Sequence, residues 1–218
     1  DITSAAFTTN IPWEALDATA FSWQKGLGGE SAHGMLVLSP KAIERLNTYQ
    51  PPWPLPYLFK LRAHGEFYAP IFQEKTLNTP SLLCIEDFLY SLSWAQKIGG
   101  LPALIKRSQE NFKTIEAWVS KTSWISFMAQ DPKERSTSTI TLQIADPTIQ
   151  AISTEKHYEF IGKLASLLAE KKIAYDINNH GGAPPSIRLW GGPTVETPDI
   201  EKLLPWLDWA YAQTKISS

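Results

Sequence analysis

Gly99 and Gly100 stand between two long stretches of helical periodicity, and that punctuation divides the chain. A helix is predicted from about Ser81 to Ile98, ended by the glycine pair. Leu101 to Ser120 is a second helix, with Leu101, Leu104, Ile105, Phe112, Ile115 and Val119 along one face. From Trp124 the period changes. Trp124 to Ala129 reads as a strand, Asp131-Pro132 as a turn, and Ser136 to Ile144 alternates as a half-buried antiparallel strand. A helix over Thr154 to Lys171 follows, then a strand or strand lead over Ile173 to Ile177. Asn178 to Pro185 is a Gly- and Pro-rich loop, Ile187 to Gly191 is extended, and Asp199 to Ala212 is a closing helix. That order suits a small α+β domain. The predicted division is 1–100, a linking helix over 101–123, and 124–218.

The first part is less regular. Pro12 to Leu16 reads as a helical turn and Ala18 to Trp23 as a strand. Gly34 to Ser39 is a strand apolar on both faces, as in a sheet covered by helices. Ser39 caps a helix with Pro40 at its first position. Four prolines between Gln50 and Pro56 impose an extended loop. A short strand over Leu58 to Leu61, a turn at Ala63-His64-Gly65-Glu66 and an extended Phe67 to Phe72 complete this part.

The formal charge of −2 gives no pull toward nucleic acid or a membrane surface. A single cysteine, Cys84, excludes a disulfide framework and a multi-thiolate metal site, and is compatible with a reducing compartment. No apolar run approaches the roughly twenty residues that cross a bilayer. There is no signal-peptide pattern. The first residue is Asp1, so the chain is expected to be part of a longer protein or to have lost an upstream segment. His33, His64, His157 and His180 lack metal-ligand spacing, and no metal site is expected. Gly28-Gly29 and Gly191-Gly192 lack the further residues of phosphate-loop or dinucleotide motifs.

Lys25 is the first chemical candidate. It ends the run Phe21-Ser22-Trp23-Gln24 and precedes Gly26-Leu27-Gly28-Gly29. Most lysines are solvated. Glycines after this one allow a tight turn, and crowding by Phe21 and Trp23 is a setting that lowers an amine pKa, as a Schiff-base lysine requires. Arg188 is the second candidate: a charge entering an apolar strand needs a partner. Glu196 is the structural choice, and a substrate carboxylate bound bidentately is the functional one. Asn78-Thr79 at a helix entrance either cap that helix or bind a phosphate. Asp1 is either a turn residue or a ligand-facing carboxylate.

These residues, with Asp1 to Ala6, Thr19 to Gly34, Asn78 to Ser81, Ile98 to Leu101, Ala183-Pro184-Pro185 and Thr194 to Glu196, give a sequence that resembles the phosphoserine aminotransferases of archaea and many proteobacteria. The resemblance runs over nearly the whole chain. It implies an α/β fold, the C-terminal part of a fold-type-I transferase dependent on pyridoxal 5'-phosphate, with part of the large-domain sheet and a small α+β domain. It implies a cytoplasmic homodimer with the cofactor site at the subunit interface, completed by an N-terminal portion of the same protein. The implied reaction passes the amino group of glutamate to 3-phosphohydroxypyruvate, giving O-phosphoserine and 2-oxoglutarate.

In that resemblance Lys25 carries the cofactor and then moves the proton. Asp1 pairs with the pyridinium nitrogen. Ser4 and Gln24 belong to the cofactor site, and Asn78 and Thr79 reach the cofactor phosphate of the other subunit. Arg188 clamps the α-carboxylate. The family commonly has Tyr-Arg-Asp before Ala-Pro, where this chain has His180-Gly181-Gly182. The arginine expected at position 181 is absent, leaving His180, Arg62 or Arg45 to meet the substrate phosphate. Two alternatives follow: an aminotransferase of the same fold acting on another small amino acid or oxo-acid, or a non-catalytic fragment with a dimerisation surface.

Overall fold

The computed structural model describes residues 1–73, 75–178 and 180–216. They form two compact units. The first comprises Asp1–Ala6 and Asn10–Lys97, the second Phe7–Thr9 and Ile98–Ser218.

The first unit is built on two small sheets and two helices. β1 (Ala18–Phe21) pairs antiparallel with β2 (Met35–Leu38), Ala18 opposite Leu38 and Phe21 opposite Met35. Met35, Leu36 and Val37 are exposed, so the apolar strand read from the sequence forms without the helical cover that its composition suggests. α1 (Pro40–Thr48) starts as its sequence dictates: Ser39 Oγ accepts the Ala42 N–H at 3.1 Å, and Pro40 occupies the first turn. β3 (Arg62–Ala63) and β4 (Glu66–Phe67) make a two-residue hairpin, with His64 and Gly65 at φ values of 53° and 87°. Leu58 to Leu61 is not a strand. Tyr57–Phe59 is a 3₁₀ turn closed by Lys60 N–H to Tyr57 O, and Ala69–Phe72 is another such turn where an extended segment was predicted. In both places a proline just before or within the segment sets a turn-compatible φ. α2 (Leu82–Lys97) closes the unit.

The second unit begins with α3 (Gly100–Val119), placed between Gly99 and Ser120. This helix makes up most of the expected linking segment 101–123, and it packs on elements of the second unit. β5 (Ile125–Phe127), β6 (Thr139–Ile144) and β7 (Ile187–Trp190) form an antiparallel sheet in that order. α4 (Pro147–Gln150) and α5 (Thr154–Glu170) lie between β6 and β7, and α6 (Thr197–Ile216) follows. Ile173 to Ile177 is not a strand. Among the described residues it leads to a single bridge just after it, Asn178 to Ile187, and Lys172 and Asp176 both take positive φ and break the extended run. Residue 179, in the predicted loop, lies outside the described residues.

Alternation along β6 is complete. Ile140, Leu142 and Ile144 are buried, while Thr139, Thr141 and Gln143 face the other way. The buried set packs with Ile125, Phe127, Ile187 and Leu189 against Ile115 of α3, Leu164 and Leu168 of α5, and Leu204 and Leu207 of α6. Each fully buried Leu or Ile stabilises the fold by about 1.5–3 kcal/mol.

Two polar groups inside this core hold its ends. Asn111, fully buried on α3, donates its amide to Gly191 O, Gly192 O and Val195 O at 3.0–3.2 Å and accepts from Thr197 Oγ1 at 2.7 Å. Asp146 accepts from Lys215 Nζ, from Tyr211 OH, and from both the hydroxyl and the N–H of Thr148. The Lys215 ammonium, then the Tyr211 and Thr148 donors, hold the Asp146 carboxyl well below the usual carboxylate range.

Replacing Asn111 by Ala leaves buried carbonyls without a donor, and denaturant unfolding is expected to show a loss of at least about 2 kcal/mol. For Asp146 the depressed native pKa sets the sign. Its contribution is full above the unfolded value of about 3.9 and is lost as pH falls below it toward the native pKa. Asp146→Asn should therefore be less stable at neutral pH and show a shallower loss of stability below about pH 4 than the parent, in unfolding curves collected across that range.

Candidate functional site

The lysine loop is a tight structure fastened to α2. The Gly28 N–H closes a turn onto Lys25 O at 3.1 Å, with Gly28 at a φ of 69°. The Gly29 N–H reaches Trp23 O at 3.3 Å. A Cβ on Gly29 would stand 2.6 Å from Trp23 Cδ1, so the approach of backbone to indole requires a glycine there. Trp23, 4% exposed, stacks on Phe88 of α2 with ring centroids 4.2 Å apart, and His33 meets it edge-on at 5.5 Å. His33 Nε2 accepts the Ser81 N–H at 3.2 Å, which fixes that nitrogen as the unprotonated one. Cys84 Sγ donates to Glu30 Oε2 at 3.6 Å. The aromatic expected beside the lysine thus packs the loop onto the helix. Lys25 is half-buried and meets no carboxylate among the described residues.

Asp1 belongs to the same unit. The Ile2 N–H bonds to Ala20 O at 2.9 Å and the Ser22 N–H to Thr3 Oγ1 at 3.2 Å, so the first three residues run beside the end of β1 that leads to Lys25. Asp1 is exposed, with Oδ1 accepting the Thr3 N–H at 2.8 Å. Ser4 is half-buried and Gln24 exposed. Ser22 Oγ is buried and has no hydrogen-bond partner among the described residues. Asn78 and Thr79 lie exposed ahead of α2. The helix-capping role open to them falls instead to Ser81, whose Oγ accepts the Cys84 N–H at 3.4 Å.

Arg188 sits in the second unit, on β7, facing away from the core. Its N–H donates to Ile177 O at 2.7 Å. Glu196 is not its partner, because Arg107 of α3 binds that carboxylate at 2.5 Å and donates its Nε to Pro193 O at 2.6 Å. Among the described residues the Arg188 guanidinium pairs with no carboxylate. Thr141 stands opposite it across the ladder, and Trp190 lies two positions along the same strand. His180 is exposed, its Nδ1 3.4 Å from Gly181 O. A side chain at position 181 would project into open space. Tyr158 of α5 holds this segment through its hydroxyl on Ala183 O at 2.8 Å. Arg62 is engaged by Tyr49 O, Gln50 Oε1 and Gly65 O, and Arg45 lies over the Tyr49 ring at 4.1 Å.

Sequence reasoning did not single out Asn111, Arg107 or Tyr158. Each is a polar group on a helix whose purpose is set by a loop distant in sequence, and helical periodicity carries no trace of that. Among the described residues no three His, Cys, Asp or Glu side chains gather in a way that could hold a metal ion, and no helix is long and apolar enough to cross a membrane.

No protein-family model matches the chain. The phosphoserine aminotransferase of Methanosarcina mazei is 45% identical over 215 residues, 99% of this chain and 55% of that protein. Among solved structures, the phosphoserine aminotransferase of Trichomonas vaginalis with pyridoxal phosphate bound superposes with a TM-score of 0.72 at 15% identity, over 95% of this chain and 52% of that one. An alanine–glyoxylate aminotransferase from Nostoc gives 0.72 at 16% identity, over 96% and 52%. The fold is accordingly that of part of such an aminotransferase, and the chain spans about half the length of the curated relatives it matches. At this identity along almost every residue, the chain matches a little over half of each of two Methanosarcina phosphoserine aminotransferases.

Proposed function

We propose that this chain carries the cofactor lysine and the carboxylate clamp of an aminotransferase that moves the amino group of glutamate to 3-phosphohydroxypyruvate, yielding O-phosphoserine and 2-oxoglutarate. One observation carries the reading. Among the described residues a loop lysine and an open-face arginine are both left without an acid partner, in a chain that follows the Methanosarcina enzyme over 215 residues.

The residues present fit pyridoxal phosphate. Lys25 offers an uncommitted amine on a rigid turn, Asp1 a carboxylate on the neighbouring segment, and Ser22 an orphaned buried hydroxyl between them in the chain. Lys25 would hold the cofactor aldehyde, Asp1 the ring nitrogen, and Ser4 and Gln24 would stand in the same site. When bound, the cofactor supplies an electron sink for the carbon that loses its proton. Lys25 then acts as the base that accepts and returns that proton. Trp23 keeps the loop from drifting by its stack on Phe88. Arg188 orients the substrate by a bidentate grip on the α-carboxylate, while Glu196 is held by Arg107. Asn78 and Thr79 would help hold the cofactor phosphate of a second subunit in a cytoplasmic homodimer, and an N-terminal portion of the same protein would complete the large domain.

His180 is the residue left to meet the substrate phosphate, since Arg62 is engaged by its own hairpin. The open space at Gly181 favours a second reading, in which the acceptor is another small oxo-acid. Comparing phosphoserine with serine as amino donor separates the two, because equal rates mean that no group reads the phosphate.

Borohydride treatment of the full-length protein is expected to erase a visible absorbance band and to leave a pyridoxyl mass on the peptide holding Lys25. Label on another lysine sinks the assignment. Arg188→Ala should raise KM for both substrates by about a hundredfold, with Arg188→Lys between it and the parent, because a lysine cannot reproduce the two-pronged grip. An unchanged KM removes the clamp.

A further inference from the structure

We infer that Thr141 is a positioning residue that aims Arg188, an inference that rests on the clamp assigned to Arg188 above. The register sets these two residues opposite each other on β6 and β7. Their backbones point apart: the Arg188 N–H goes to Ile177 O, and Thr141 O takes the Met128 N–H from the β5 side. Gly191 N–H to Ser138 O marks the hydrogen-bonded phase of this ladder, three positions away in the same register. Thr141 and Arg188 are therefore a non-hydrogen-bonded pair, the kind in which Cα atoms approach to about 4.5 Å and side chains come closest.

No neighbour duplicates this contact. Gln143 is drawn toward β5 by its bond to Ser126 Oγ at 3.3 Å. Thr139 stands opposite Trp190. The Thr141 hydroxyl makes no hydrogen bond among the described residues, so its branched Cβ can act as a stiff wall beside the flexible arginine stem. Thr141 also lines a cavity of about 320 Å³, shared with Phe127, Met128, Glu134, Arg135 and Thr139. A smaller residue at 141 removes the wall between the Arg188 stem and that space. The guanidinium can then lean over β6 and away from the direction in which a carboxylate is gripped.

The test uses the full-length, cofactor-loaded enzyme. It reads equilibrium binding of 2-oxoglutarate by calorimetry without amino donor, beside steady-state kinetics. Thr141→Ala is expected to weaken binding and raise KM by about tenfold with kcat within about twofold, the scale of a small misplacement of a binding group. Thr141→Val, which keeps the branched shape and loses the hydroxyl, should stay within about twofold of the parent in both readouts. Arg188→Ala separates the two levels of inference. If it weakens binding while Thr141→Ala does not, the positioning role is overturned. If Arg188→Ala itself leaves binding unchanged, the clamp reading fails. If Thr141→Val binds as poorly as Thr141→Ala, a hydroxyl contact replaces the shape argument, and the inference is overturned in that form.

Discussion

The side-chain amide of Asn111 has no access to water, and all its bonds go to the segment between β7 and the start of α6. A buried carbonyl without a donor is costly, so these contacts set the path of the chain as it leaves the sheet. Gly191 serves two masters: its N–H closes the ladder on Ser138, and its carbonyl is held by Asn111. β7 is thereby fixed one residue past its end from both the sheet and the helix layer. The direction of Arg188, three residues earlier, depends on that. Arg107, one helical turn before Asn111, adds Pro193 and Glu196 to the same clasp, and in doing so occupies the acid that the sequence puts nearest in the chain.

The first unit relies on a different kind of force. Its lysine loop is held by ring contacts among Trp23, Phe88 and His33, backed by two polar links to the first turn of α2. Aromatic area of this sort is large per residue and directional enough to fix a loop that has almost no regular structure. The same links tether the Lys25 turn to the helix that Asn78 and Thr79 lead into. Two segments assigned to the cofactor thus share one mechanical base.

What could be read from sequence follows from where the information lies. The alternation of β6 and the Ser39-Pro40 helix start were legible because periodicity and capping are local. The strand predicted at Leu58 to Leu61 failed because apolar content was taken for extension where the chain turns, and Ile173 to Ile177, read as a strand or a strand lead, only leads to the single bridge at Asn178. Lys25 and Arg188 stood out because a charge in an apolar context is conspicuous. The Glu196 pairing weighed for Arg188 did not survive, since the competing arginine lies 89 positions before Glu196 and composition says nothing of such distances. The capping role weighed for Asn78-Thr79 falls to Ser81, three residues after Asn78.

The second unit owns a piece of chain that interrupts the first, between Ala6 and Asn10. Phe7–Thr9 is counted with Ile98 onward, and Thr8, almost wholly buried, bonds through its hydroxyl to Ser138, the residue whose carbonyl also receives Gly191. The polypeptide thus makes a brief visit to the later unit before returning to build the earlier one. A ribosome releases Thr8 long before Ser138 exists, so the berth for this tripeptide is made only when most of the chain has been synthesised. No single cut can part the two bodies cleanly, because a piece starting at Ile98 leaves Ser138 facing the gap that Thr8 fills.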